Sequence, residues 1–140
     1  MASDDKPYLT DANIWIAYFD KGETQSELAK EFLEFMIEQY YPIIISSLVI
    51  QEVMTVLLYK NKHTLAQDFM EYIQRQPTIS ILSVDESLLE KITVYMKKHQ
   101  FRPKLSFTDW SLLFLTEHAK LDLVTLDKQL ANTYKRFAKK

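Results

Sequence analysis

The chain contains no cysteine and only one glycine, Gly22. The first absence removes disulfide scaffolds, thiolate zinc sites and cysteine nucleophiles, and fits a reducing compartment. The second removes the glycine-rich phosphate loops, since neither a P-loop nor a G-x-G-x-x-G turn can be built with one glycine. One glycine and four prolines also disfavour a turn-rich β-sandwich and favour long helices. Long apolar runs are missing as well. Ile43 to Ile45 and Leu112 to Leu115 fall far short of the roughly 20 residues of a membrane span. The start, MASDDKPYL, is acidic where a secretory signal is basic and then apolar, so a cytoplasmic protein without a targeting segment or membrane contact is expected. There is no G-x-S-x-G elbow, and His63, His99 and His118 are scattered without metal-ligand spacing.

What is present is one domain's worth of chain, residues 1–140, with 47% hydrophobic and 26% charged residues. That balance suits a soluble globular fold rather than a disordered one. The net charge of −2 conceals a split. Residues 1–90 carry 6 Lys and Arg against 15 Asp and Glu, whereas residues 91–140 carry 11 against 4. The basic C-terminal part is either a solvated surface with a Lys-rich tail or a surface for an anionic partner, nucleic acid being the obvious one.

Along the chain, a short strand over Tyr8 to Thr10 precedes a helix from Asn13, its expected N-cap. Thr24 and Glu27 form a capping-box pattern for a second helix, with Leu28, Phe32, Phe35 and Met36 as its apolar stripe. Pro42 ends it, and the β-branched run from Ile43 reads as a buried parallel strand. Ser46 or Ser47 caps the next helix, whose core face is Val49, Val53, Val56 and Leu57. A helix over His63 to Gln76, a strand over Ile79 to Val84 and a helix from Asp85 to about Lys98 follow. A loop over Phe101 to Ser106, a helix over Phe107 to Lys120, a strand over Leu121 to Leu126 and a last helix complete the order. Alternation of this kind predicts an α/β domain: three layers, with a mostly parallel central sheet of about four strands flanked by helices.

In such sheets, sites gather at the carboxyl ends of the strands. Asp11 and Asp127 fall directly after the first and last strands. Glu52 lies about one turn into the helix after the second strand, amid Val49, Ile50, Val53 and Met54. Asp109 opens the apolar helix that begins LSFTDW. Each has an ordinary explanation: Asp11, Asp109 and Asp127 as helix caps or first-turn acids, Glu52 paired with Lys60 or a distant base. Together they would converge on one edge of the sheet. Two carboxylates about 4 Å apart repel by roughly 4 kcal/mol at an effective dielectric near 20, so such a cluster calls for protons or cations. Oxygen ligands without cysteine or clustered histidine suit Mg²⁺ or Mn²⁺, and such a site beside a basic surface suggests phosphodiester hydrolysis.

The segments YLTDANIWIAYF, IIISSLVIQEVMTVL, LSFTDWSLLFLTEHA and DLVTLDKQL resemble, in order and spacing, those of PIN domains, most closely the VapC-type toxin ribonucleases. The resemblance spans nearly the whole chain. It implies metal-dependent endonucleolytic cleavage of RNA, with Asp11, Glu52, Asp109 and Asp127 as catalytic residues and ligands of Mg²⁺ or Mn²⁺. Asn13 matches the small polar residue two after the first acid, and Thr125 the threonine of the final T-x-D, placed to orient Asp127 or a bound water. The resemblance also implies a homodimer and a small antitoxin partner whose C-terminal segment enters the acidic pocket. Arg102 and Lys104, which flank Pro103, are candidates for RNA-phosphate contact, or simply loop charges. Other readings are a PIN nuclease of RNA processing or decay, a nuclease acting on DNA or flap structures, and a non-catalytic RNA-binding module.

Overall fold

The computed structural model describes residues 6–139; the acidic pair Asp4 and Asp5, and Lys140 of the basic tail, lie outside the described residues. In chain order the elements are β1 (Tyr8–Thr10), α1 (Ala12–Phe19), α2 (Ser26–Glu38), β2 (Ile43–Ser46), α3 (Ser47–Tyr59) and α4 (His63–Arg75). They continue with β3 (Ile79–Leu82), α5 (Glu86–Lys98), α6 (Phe107–His118), β4 (Asp122–Val124) and α7 (Lys128–Ala138). The four strands form one sheet in the order β3-β2-β1-β4, and every pairing is parallel. Tyr8 stands beside Ile43 on one side and Asp122 on the other, so all four strands present their carboxyl ends to one edge.

The sheet is parallel because its connections are helical, and it is apolar because helices flank it. Ile43 and Ile45 are fully buried, as are Leu9 and Thr10 of the central strand β1. The indole of Trp15, itself fully buried, donates to the Thr10 hydroxyl at 2.8 Å. That hydroxyl in turn donates to the Ile44 carbonyl at 3.1 Å, which pins the end of β1 against β2. No helix among the described residues is long and apolar enough to cross a membrane.

Several local expectations need correction. The N-cap of α1 is Asp11, not Asn13: strand β1 passes straight into the helix, and Oδ1 of Asp11 accepts from the Ala12 amide at 2.7 Å. The capping box at Thr24 and Glu27 does not form. The turn after α1 is anchored on Asp20, whose carbonyl accepts from the Glu23 amide, and α2 starts only at Ser26 behind an uncapped Gln25. Its buried face is Ala29, Leu33 and Met36, whereas Leu28 and Phe35 are 56% and 54% exposed. The two faces share Met36, and Phe32 packs against the core at their border, but the covered face is turned towards the fully buried Ala29 and Leu33. Strands β3 and β4 end earlier than their apolar runs. The Val84 amide donates to the Ser47 hydroxyl at 2.9 Å and the Leu126 amide to the Asn13 side chain at 3.1 Å, so side chains replace strand neighbours there. The capping roles of Ser46 and Asp85 match the sequence expectation: they accept from the amides of Val49 and Leu88.

Candidate active site at the carboxyl edge of the sheet

Asp11 leaves β1 at the carboxyl edge and is only 4% exposed. One of its oxygens is held by the Ala12 amide. The other accepts from the Thr125 hydroxyl at 2.7 Å and from the Asn13 side-chain amide at 3.3 Å. Thr125 lies just past β4, and its oxygen also accepts from Asn13 at 3.2 Å and from the Asp127 amide at 3.0 Å. Asn13 completes the lattice by accepting from the Leu126 amide. Asp11, Asn13 and Thr125 thus fasten the end of β1 to the segment after β4.

Asp127 is exposed and caps α7, where its Oδ1 accepts from the Leu130 amide at 3.0 Å. Asp109 stands in the first turn of α6, which opens on the Ser106 hydroxyl; that oxygen accepts from the Asp109 amide at 3.1 Å. Glu52 projects from α3, and the Thr108 hydroxyl donates to its carboxylate. Glu52 does not pair with Lys60, which instead reaches Glu23 at 3.3 Å and Asp20 at 3.8 Å. The capping explanations for Asp11 and Asp127 therefore hold as geometry. They do not account for the electrostatics.

Asp11, Glu52 and Asp109 each feel at least one other acid of the set. Burial, followed by the Asp11 and Asp127 carboxylates, pushes Asp109 up to about 6, against the lowering effect of its bonds to Ser106. Glu52 is raised by burial and then by Asp11 and Asp109. Asp11 is raised chiefly by burial, opposed by the donors Thr125 and Ala12, with Asp127 adding to the rise. Among the described residues none of the four forms an ion pair. Like charges gathered without a cation favour protonation or a bound positive ion. The donor set of hard carboxylate oxygens fits Mg²⁺ or Mn²⁺ in chemistry. As the side chains stand, no three Asp, Glu or His among the described residues are drawn together closely enough to hold an ion. The acids are within electrostatic reach of one another, short of a closed coordination shell.

Arg102 and Lys104 are exposed in the loop between α5 and α6, and no ion pair ties either to the acids. Two concavities lie away from the acidic edge. One, of about 220 Å³, is lined by Lys6, Lys120 and Tyr134 among others, and one of about 440 Å³ by residues of α5 and α6. Sequence reasoning missed Thr108, whose partner Glu52 comes from another helix. It also missed Thr10, whose indole and carbonyl partners set the strand from which Asp11 emerges.

No curated protein matches the chain significantly. Solved structures do match its fold. VapC20 of Mycobacterium tuberculosis, a toxin that cleaves the sarcin-ricin loop, superimposes with a TM-score of 0.74 at 18% identity, covering 90% of this chain and 94% of that one. The VapBC2 structure from Rickettsia felis, bound to a DNA fragment from its promoter, gives 0.63 at 16% identity, with 89% and 91% covered. PAE2754 from Pyrobaculum aerophilum gives 0.60 at 17% identity, with 96% and 91% covered. At these identities the likeness establishes the fold. The family model of the PIN domain matches residues 8–136, and the chain belongs to that family.

Proposed function

We propose that the protein is a metal-dependent endoribonuclease that hydrolyses RNA phosphodiester bonds as the toxin of a toxin–antitoxin pair. The observation that carries this reading is the gathering of Asp11, Glu52, Asp109 and Asp127 at the carboxyl edge of the sheet, four acids from four separate elements, none of which forms an ion pair among the described residues. In this reading the four carboxylates hold Mg²⁺ or Mn²⁺. The metal supplies, when bound, a water of lowered pKa and positive charge for the transition state.

The chain's own residues set the stage for that chemistry. Thr125 and Asn13 orient the Asp11 carboxylate, and Thr108 orients that of Glu52. Asp109, pushed up to about 6 by burial and its acidic neighbours, would be held in its charged form by a bound cation. Arg102 and Lys104 contact RNA phosphates on the approach to α6. A single domain of 140 residues, a homodimeric state, a cytoplasmic setting and a small antitoxin belong to the same reading. Support for the antitoxin comes from the fold shared with VapC20 and with the Rickettsia felis VapBC2 structure.

The test is cleavage of a structured RNA by purified protein with Mg²⁺ or Mn²⁺, compared with Asp11→Asn and Asp109→Asn. Loss of cleavage in both variants supports the reading. Equal cleavage by wild type and both variants overturns it. Growth arrest on expression of the wild type, absent with Asp109→Asn, tests the toxin role separately.

A further inference from the structure

The excess positive charge of the C-terminal part is not spread evenly over the fold. Helices α5 and α7 both end in cations: Lys97 and Lys98 in the last turn of one, Lys135 and Arg136 in the last turn of the other. Immediately after these pairs come the rings of His99 and Phe137, which stack on each other at 4.2 Å with only 9° between their planes. That stack brings together two basic helix ends, 38 residues apart at the rings. Lys139 extends the second end.

All five cations are exposed, and among the described residues none forms an ion pair. Acids do stand nearby: Glu90 and Glu117 border the same concavity as Lys98, yet no salt bridge closes between them. The aromatic cluster beneath also ties this surface to the acidic edge. Trp110, next in sequence to Asp109, lies 6.1 Å from the His99 ring and 6.3 Å from the Phe137 ring. Arg102 and Lys104, in the loop that leads to α6, continue the positive charge towards Asp109.

We propose that the paired ends of α5 and α7 form a binding surface for the phosphate backbone of RNA, separate from the acids and feeding them. The inference rests on the ribonuclease reading for its choice of polyanion. Arg136 lies over the Phe137 ring, 5.8 Å from its centre, and among the described residues no carboxylate pairs with it or with the four lysines. Such a row of exposed cations gains most from a ligand whose charges repeat along a chain, because each contact releases condensed counterions. The same cations offer little to a single small anion. The contacts of the His99 and Phe137 rings with Trp110 put these helix ends beside the start of α6, the helix that carries Asp109.

The experiment uses the full chain, a fluorescently labelled single-stranded RNA of mixed sequence, and EDTA, so that binding is read without cleavage. Anisotropy titrations at several salt concentrations compare the wild type with Lys97→Gln/Lys98→Gln, with Lys135→Gln/Arg136→Gln, and with Lys30→Gln as a control from α2. Each double variant is expected to weaken binding and to lower the slope of log affinity against log salt by about 1.4, at roughly 0.7 per lost phosphate contact on a single strand. Lys30→Gln is expected to leave both unchanged. Double variants that bind with the wild-type slope, or that lose no more than Lys30→Gln, overturn the proposal. Cleavage with Mg²⁺ is measured in parallel. Wild-type protein that binds through this surface but never cleaves leaves the surface standing and removes the ribonuclease reading. Cleavage with unchanged slopes does the reverse.

Discussion

The hydroxyl of Thr125 donates to Oδ2 of Asp11 at 2.7 Å, across 114 residues of sequence. It is one of three interactions in which that oxygen atom of Thr125 takes part, the others being with Asn13 and the Asp127 amide. Replacement of Thr125 by Val keeps the shape and removes them all. The expected cost is about 1–3 kcal/mol, as a nearly buried acceptor loses its donor. Denaturant unfolding of Thr125→Val against Thr125→Ser checks this, with Ser expected to recover most of the loss. The apparent pKa of Asp11 should rise further in the Val variant, because a donor that favours its charged form is gone.

Asp109 gives the clearest pH signature. Its pKa is about 6 in the folded protein against an ordinary 3.8, so between these values the folded state binds more protons than the unfolded state. Stability of the metal-free protein should therefore fall as pH rises from about 4 to about 6 on this group's account, and level off above. Asp109→Asn should flatten that slope and make the metal-free protein more stable at neutral pH. Thermal unfolding in EDTA across this range measures it; a variant with the wild-type pH slope contradicts the assignment.

The same substitution should act in the opposite sense on catalysis. Asp109→Asn is expected to lower RNA cleavage by roughly 10²-fold or more, the scale on which one charge-stabilising contact matters in a transition state. A gain in metal-free stability together with a loss of activity is what a functional, rather than a structural, acid would give. Isothermal titration with Mn²⁺ supplies an independent reading, since the variant should bind the ion more weakly.

Asp20 behaves as the contrasting case. Lys62 bonds to its carboxylate at 2.8 Å and holds its pKa below the ordinary range, with Gly22 and Lys60 helping. Here the stability gained is present above about pH 4 and is lost as pH falls through the lowered pKa. Lys62→Met should remove that acid-limb dependence and destabilise the protein at pH 7 while leaving cleavage unchanged.

On α2 the prediction separates two stripes of similar appearance. Leu33→Ala should cost about 2–5 kcal/mol, as for a buried leucine, whereas Phe35→Ala, more than half exposed, should cost well under 1. Urea midpoints of the two variants decide it.

The element order was legible because it rests on long signals. The run from Ile43, the breaks at Pro42 and Pro77, and the capping serine before Val49 each leave few choices. The α2 errors came from a different source. Of the expected stripe Leu28, Phe32, Phe35 and Met36, the last is buried and Phe32 packs against the core, while Leu28 and Phe35 stay exposed because the covered face is turned towards Ala29 and Leu33. The shortening of β3 and β4 was equally hidden, since Ser47 and Asn13, which take the amides of Val84 and Leu126, come from distant segments. For the acids, the strand-end rule picked out Asp11 and Asp127 by position, but their coupling to Glu52 and Asp109 is a property of three dimensions. Thr108 carried no signal beyond its adjacency to Asp109, because the group it serves belongs to α3.

The long reach of the Thr125–Asp11 bond has a consequence for timing. At about 5–20 residues per second, a ribosome needs roughly 6–23 s to travel from the first of these residues to the second. Throughout that interval the nascent chain carries Asp11 without the hydroxyl that holds it, and without Asp127 at all. The acidic edge of the sheet is therefore complete only after the last strand and the residues behind it have been synthesised and paired with the first.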